Sequence, residues 1–239
     1  MSNVTKEKRS TEENSVTVAI IDYGLGNLFN IQRCCQHVGL NTEITSDKER
    51  IHAADAIILP GVGAFARAMN ALQELGLVDV IRLHASTGKP LLGICLGMQL
   101  LMTESSEFGR HKGLNLVPGS VLPFKDVFEG TRPLKVPQIC WNKVFSDKAK
   151  QWINSPLVRM KQGFYTYFVH SFYIKPDDPG VVLATTIYGD KKFCSCIQKD
   201  NIFACQFHPE RSGKDGIQIY RNWAQQVIND KKAKRNHYG

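Results

Sequence analysis

This chain of 239 residues has no apolar run near the roughly 18 residues that a membrane-spanning helix needs, so no membrane association is expected. Met1 to Ser15 is polar and of mixed charge, without the apolar stretch of a secretory signal. There is no internal repeat and no low-complexity linker. With 43% hydrophobic and 22% charged residues, the composition excludes collagen-like, disordered and disulfide-scaffold classes. An even cysteine count is also lacking. Seven cysteines, at 34, 35, 95, 140, 194, 196 and 205, cannot all pair within the chain, and most lie in apolar runs. Without a signal they read as the reduced thiols of a cytoplasmic protein. Acid is scarce at the C-terminal end. Lys231, Lys232, Lys234 and Arg235 supply half of the net charge of +8. Residues 231–239 read as a solvated, frayed basic tail rather than a nucleic-acid footprint, so no nucleic-acid partner is expected.

The patterned part starts at Val16. Val16 to Ile21 reads as a buried strand, and Leu28 to Val38 has helical spacing that ends at Gly39. Ala53 to Leu59 is a second strand, followed by Pro60-Gly61-Val62-Gly63 and a helix from Ala64 to Leu75. Pro90 to Ile94 is a third, and Met98 to Thr103 opens another helix. Continuous apolar strands alternating with amphipathic helices predict a parallel sheet covered on both faces. From about Val117 the pattern changes. Leu134 to Val136, Ile139 to Val144, Phe164 to Ile174, Val181 to Ile187, Phe193 to Gln198 and Ile202 to Phe207 read as strands joined by short turns. A final helix covers Gly216 to Ile228. The expectation is one α/β domain over 16–230 whose second half adds antiparallel strands, with 1–15 as a polar extension.

The sharpest local signal is Gly93-Ile94-Cys95-Leu96-Gly97 at the junction of strand and helix. Glycines two before and two after a nucleophile allow the tight turn that lifts its side chain above a strand end. The helix N-terminus favours thiolate, and the Leu96 N–H points at the reacting oxygen. A small buried core cysteine is the bland alternative; flanking glycines and position favour a nucleophile. His208 ends an apolar strand and is followed by Pro209 and Glu210, whose carboxylate can reach back to orient the imidazole. His170, in Tyr167-Phe168-Val169-His170-Ser171, is the second candidate base.

Two other patterns compete. Gly61-Val62-Gly63-Ala64-Phe65-Ala66 matches a dinucleotide fingerprint, but it follows the second strand and no acid ends the next. Its N–H groups can instead complete an oxyanion hole with that of Leu96. Cys194, Cys196, Cys205 and His208 suggest a metal cluster, but their spacing fits no common zinc pattern.

Cys95 in its glycine elbow together with His208-Pro209-Glu210 resembles a class I glutamine amidotransferase. The stretches Ile21-Asp22-Tyr23-Gly24-Leu25-Gly26-Asn27, Leu59-Pro60-Gly61-Val62-Gly63-Ala64-Phe65, Val136-Pro137, Trp141-Asn142 and Tyr167 to Ser171 narrow the resemblance. They are similar to glutaminase subunits of imidazole glycerol phosphate synthase. The similarity runs from about Val16 to Ile228. It implies a doubly wound, flavodoxin-like mixed sheet and a triad of Cys95 as nucleophile, His208 as base and Glu210 as its orienter. Gly61, Val62, Gly63 and Leu96 would surround the bound carboxamide. Gln99 and Glu107 match positions that hold glutamine, and His170, Ser171 and Phe172 match the pocket wall. No metal or organic cofactor is implied. The implied partner is a (β/α)8-barrel cyclase in a heterodimer, which would receive ammonia and make imidazole glycerol phosphate and aminoimidazole carboxamide ribonucleotide. The chain departs from the usual pattern at Phe29-Asn30, and at Gln138 and Cys140, where His and Gly are usual. An alternative acceptor is therefore a surface-polysaccharide sugar converted to an amidine.

Overall fold

The strands on which the site depends are apolar at every position, because both of their faces are covered. In the computed structural model, which describes residues 16–146 and 152–238, β1 is Thr17–Ile21, β2 Asn41–Thr45, β3 Ala56–Leu59 and β4 Leu91–Ile94. Helices α1 (Leu28–His37), α2 (Lys48–Ala53), α3 (Phe65–Glu74), α4 (Leu77–Ser86) and α5 (Leu96–Leu100) alternate with them. The second half supplies β5 (Glu104–Ser105), β6 (His111–Lys112), β7 (Gly119–Pro123), β8 (Phe128–Glu129), β9 (Arg132–Pro133), β10 (Gln138–Val144) and β11 (Phe164–His170). Then come β12 (Phe172–Pro176), β13 (Val182–Tyr188), β14 (Lys191–Lys199), β15 (Ile202–Cys205) and α6 (Gly213–Tyr238).

The parallel part of the main sheet runs β2-β1-β3-β4-β15, the doubly wound, flavodoxin-like order. From β15 it continues through antiparallel β14 and β12 to β7, β5 and β6, with β13 beside β14. Side chains alternate across this sheet. Val18 and Ile20 pack with Ile31 of α1 and Tyr220 and Trp223 of α6 on one face. Ala19 and Ile21 pack with Ile51, Met69 and Ile81 on the other.

Several elements differ from the sequence expectation. Strand β2, Asn-Thr-Glu-Ile-Thr, lacks an apolar run because it lies at the sheet edge with one side in solvent. Helix α4 follows α3 after only Leu75 and Gly76, whose φ of 64° is the hinge between them. Leu134 to Val136 is loop rather than strand. Phe164 to Ile174 is two strands, broken at Ser171: β11 pairs with β10 in a separate ribbon, and β12 joins the main sheet. The C-terminal expectation is also corrected. Helix α6 continues unbroken through the 230/231 boundary to Tyr238. Lys231 is tied to the body, its Nζ 2.7 Å from the Asp55 carboxylate. The extension at 1–15 lies outside the described residues.

His84 of α4 is fully buried, and neither ring nitrogen makes a hydrogen bond of ordinary geometry. Burial, reinforced by the Lys89 charge, pushes its pKa down from 6.5 to about 4. The unfolded chain therefore binds a proton that the folded chain refuses. The stability this histidine allows is complete above pH 6.5 and declines as pH falls towards 4. Thermal melts over that range should show a loss on the order of 1–3 kcal/mol from this residue. The acid slope should flatten in His84→Leu; an unchanged slope would exclude His84 as its source.

Candidate active site

Cys95 ends β4 with φ 53° and ψ −110°, a conformation that non-glycine residues avoid. Its neighbours explain how the turn is tolerated. The Cys95 N–H donates to Cys205 O of β15 at 2.8 Å. Helix α5 then passes so close to the end of β3 that a Cβ on Gly97 would lie 1.8 Å from Leu59 O. Only glycine fits there. A Cβ on Gly61 would in turn meet the Tyr23 hydroxyl at 2.4 Å and the Leu96 Cβ at 3.0 Å. Gly61 is thereby packed against the first turn of α5, where the Leu96 N–H has no partner within its own helix. Tyr23 Oη donates to Pro60 O at 2.6 Å, which fixes the peptide preceding the Gly61 nitrogen.

His208 reaches the same place from the end of β15. Its backbone N–H donates to Tyr167 O of β11 at 3.0 Å, and its carbonyl accepts from Ser212 Oγ at 2.6 Å. A 3-10 turn at Pro209–Arg211 brings Glu210 back, so that Glu210 Oε1 lies 2.8 Å from His208 Nδ1. The Glu210 side chain is 1% exposed. Burial alone would lower the His208 pKa. The Cys95 thiolate and the Glu210 carboxylate outweigh it and push His208 up to about 10. Cys95 and His208 are only 5% and 4% exposed, so this pair of charges faces little solvent.

His170 differs. It sits among Phe124, Phe168 and Phe193, with Nδ1 2.8 Å from Phe172 O. Burial pushes its pKa down to about 4, despite that hydrogen bond and with the His208 charge acting in the same sense as burial. It is therefore neutral near neutral pH, in contrast to His208. Ser171 is the crossing point between β11 and β12, and its carbonyl accepts from Phe124 N at 2.9 Å. Phe172 O also accepts from Gln99 Nε2 at 3.0 Å. Gln99 therefore lies inside the cluster.

Glu107 has a structural task that its sequence position did not reveal. Its carboxylate accepts from the Phe65 N–H at the start of α3, capping a helix whose own N-cap, Ala64, has no side-chain oxygen. That carboxylate occupies the place a dinucleotide pyrophosphate would need, which argues against the Gly61-Val62-Gly63 fingerprint as a phosphate cradle. Val62 itself is 40% exposed, beside Gly63 with φ 99°. The cysteine–histidine metal pattern is not assembled either. No metal-binding group of His, Cys, Asp and Glu occurs among the described residues. Cys194, Cys196 and Cys205 are core thiols whose pKa values burial raises.

Sequence reasoning missed Gln206. It is fully buried, Gln99 Nε2 donates to its Oε1 at 3.0 Å, and its Nε2 donates to Cys95 Sγ at 3.6 Å. The one signal was a polar residue inside the apolar run ending at Phe207.

A nucleophile elbow paired with an oriented histidine is an acyl-transfer site. The model of the family Glutamine amidotransferase class-I matches residues 19–227. The chain belongs to that family. It is 46% identical over 209 residues to the imidazole glycerol phosphate synthase subunit HisH of Geobacter metallireducens, covering 87% of this chain and 97% of that one. It is 44% identical over 208 residues to the protein of the same name from Syntrophotalea carbinolica, covering 86% and 98%. Among solved structures, a crystal structure of a glutamine amidotransferase superposes with a TM-score of 0.66 at 19% identity, covering 88% of this chain and 98% of the other. PurLQS from Thermotoga maritima superposes with a TM-score of 0.66 at 17% identity, covering 89% and 99%. At those identities the two show the fold alone, which is that of the class I amidotransferases.

Two outcomes test the geometry. A glutamine-analogue alkylator should label Cys95 among the seven cysteines, as read by peptide mass spectrometry. Predominant labelling of Cys194, Cys196 or Cys205 would overturn the assignment. Gly97→Ala should cost several kcal/mol in a thermal melt, because the added methyl group meets backbone rather than a movable side chain. Loss below about 0.5 kcal/mol would mean that α5 can move off β3 freely.

Proposed function

We propose that this protein is the glutaminase subunit of an imidazole glycerol phosphate synthase. The observation that carries the proposal is the Cys95–His208–Glu210 constellation in a chain 44–46% identical to HisH subunits along nearly their whole length. Cys95 thiolate attacks the side-chain carboxamide of glutamine. The negative charge then moves to the carboxamide oxygen, which the N–H groups of Leu96 and of the Gly61-Val62-Gly63 turn would receive once the turn presents them. As the carbon–sulfur bond forms, His208 loses the thiolate that held its proton. Burial then works to release it, and the imidazolium protonates the amide nitrogen as the carbon–nitrogen bond breaks and ammonia leaves. Water, deprotonated by His208, resolves the glutamyl thioester to glutamate. No step calls for a metal or an organic cofactor.

Gln99 has both Nε2 protons engaged, with Phe172 O and Gln206 Oε1. Any hold it has on glutamine uses its carbonyl oxygen. Glu107, already bonded to Phe65 N, would reach substrate with its remaining oxygen, and His170, Ser171 and Phe172 would wall the pocket.

The ammonia would pass to a (β/α)8-barrel cyclase bound as a heterodimer, and the ribbon β10-β11 is the surface we assign to that contact. Ile139 and Trp141 are 59% and 51% exposed on its outer side. Trp141 packs edge-on against Tyr167, whose ring also carries the Arg211 guanidinium at 4.4 Å. Apolar surface beside the triad suits a partner that collects the product there. Gln138 is buried on the inner side of the ribbon, with Cys140 half-buried beside it. Both side chains lie off the outer face, and the 44–46% identity to HisH subunits favours the histidine-pathway acceptor over a sugar.

Glutamine hydrolysis should be slow for the chain alone and rise by orders of magnitude when its own cyclase and the acceptor ribonucleotide are added. Equal turnover with and without them would mean that the oxyanion hole is already complete. In the complex, His208→Asn should lower turnover about a hundred- to ten-thousand-fold. His170→Asn should cost much less, with Glu210→Gln between the two. The reverse ranking would move the base to His170.

A further inference from the structure

The elbow brings one polar side chain to the sulfur that the triad does not use. Gln206 Nε2 lies 3.6 Å from Cys95 Sγ, in a place without exposure. The orientation of this amide is fixed by a chain of donors and acceptors. Phe172 O is a backbone carbonyl and can only accept, so the end of Gln99 that meets it at 3.0 Å is nitrogen. That same nitrogen lies 3.0 Å from Gln206, so the facing atom of Gln206 is its oxygen. The opposite end of Gln206, the one against sulfur, is therefore its NH2 group. The backbone is held as well, since Gln206 N donates to Ser195 O of β14 at 2.9 Å. An apolar residue would fill this core position equally well, and burying an amide here makes sense only if its groups are used.

We propose that Gln206 is a catalytic residue that donates a hydrogen bond to the Cys95 thiolate, and that Gln99 is the positioning residue that locks its amide in the donating orientation. The proposal rests on Cys95 being the glutaminase nucleophile. A buried thiolate accepts few hydrogen bonds, and a donor at this distance favours the ionised over the protonated form. It also places the negative charge on the side of sulfur away from bulk solvent. The imidazolium of His208 supplies the counter-charge, and the amide supplies direction.

The test is the pH dependence of Cys95 alkylation by iodoacetamide, measured on the full chain with its partner, with the labelled peptide quantified by mass spectrometry. Gln206→Met keeps the length of the side chain but has no N–H to offer sulfur. Gln206→Leu removes the polar group. Both should move the lower inflection of the rate–pH curve upward by about one unit, a tenfold slower reaction below it, while the high-pH plateau is unchanged. A simple packing defect would not move the inflection and leave the plateau. Gln99→Leu, which keeps Gln206 but frees its amide, should move the inflection in the same direction by less, and it decides the matter if either Gln206 variant fails to fold. Wild-type inflection in the folded variants would overturn the proposal. Absence of label on Cys95 in the wild type would overturn the nucleophile assignment instead, so the two failures are distinguishable.

Discussion

The site depends on keeping a sulfur anion and an imidazolium face to face where water is nearly excluded. Neither charge is tolerable alone at 5% and 4% exposure. The charges of Cys95 and Glu210 hold the His208 proton, and the structure around them serves to maintain that arrangement. β4 and β15 lie side by side and parallel, and their C-terminal ends deliver the two residues to the same height. The turn after His208 returns Glu210 to Nδ1, so the carboxylate engages only one of the two ring nitrogens. The elbow lifts Cys95 out of the strand at the cost of a backbone conformation that only surrounding contacts sustain.

The same pair explains how one histidine serves as both acid and base. Its proton affinity is set by a charge that disappears during the reaction. While sulfur is anionic, His208 keeps its proton. Once sulfur is acylated, burial turns the imidazolium into an acid beside the leaving ammonia. Glu210 contributes orientation throughout, whichever proton state the ring is in.

Much of this was legible in the sequence. Gly93, Gly97 and the strand-to-helix position of Cys95 marked the elbow, because close backbone approach has no substitute for glycine. His208 and Glu210 were legible because a two-residue spacing is local. What escaped had non-local causes. The polar strand β2 reads as loop until its pairing with β1 is known. The break at Ser171 is invisible in an uninterrupted apolar run, since two strands in different sheets look like one. Gln206 owes its role to Gln99, far away in sequence, and Glu107 caps a helix from a distant loop. A polar residue within an apolar run was the single trace that such a partnership leaves. The C-terminal positive charges misled for the same reason: Lys231 is answered by Asp55 across the fold, not by a neighbour in the chain.

The crossing at Ser171 has a mechanical side. Within six residues, the chain gives Tyr167 O to the His208 backbone, Val169 O to the neighbourhood of the Cys95 sulfur at 3.9 Å, and Phe172 O to Gln99. The first two belong to the outer ribbon and the third to the main sheet. The ribbon is thus a lever with its fulcrum at one serine. Its long arm carries Trp141 and Ile139 on the surface, and its short arm ends among the reacting atoms. The base and the nucleophile thus both take contacts from the ribbon, while Gln99 takes its own from the main sheet.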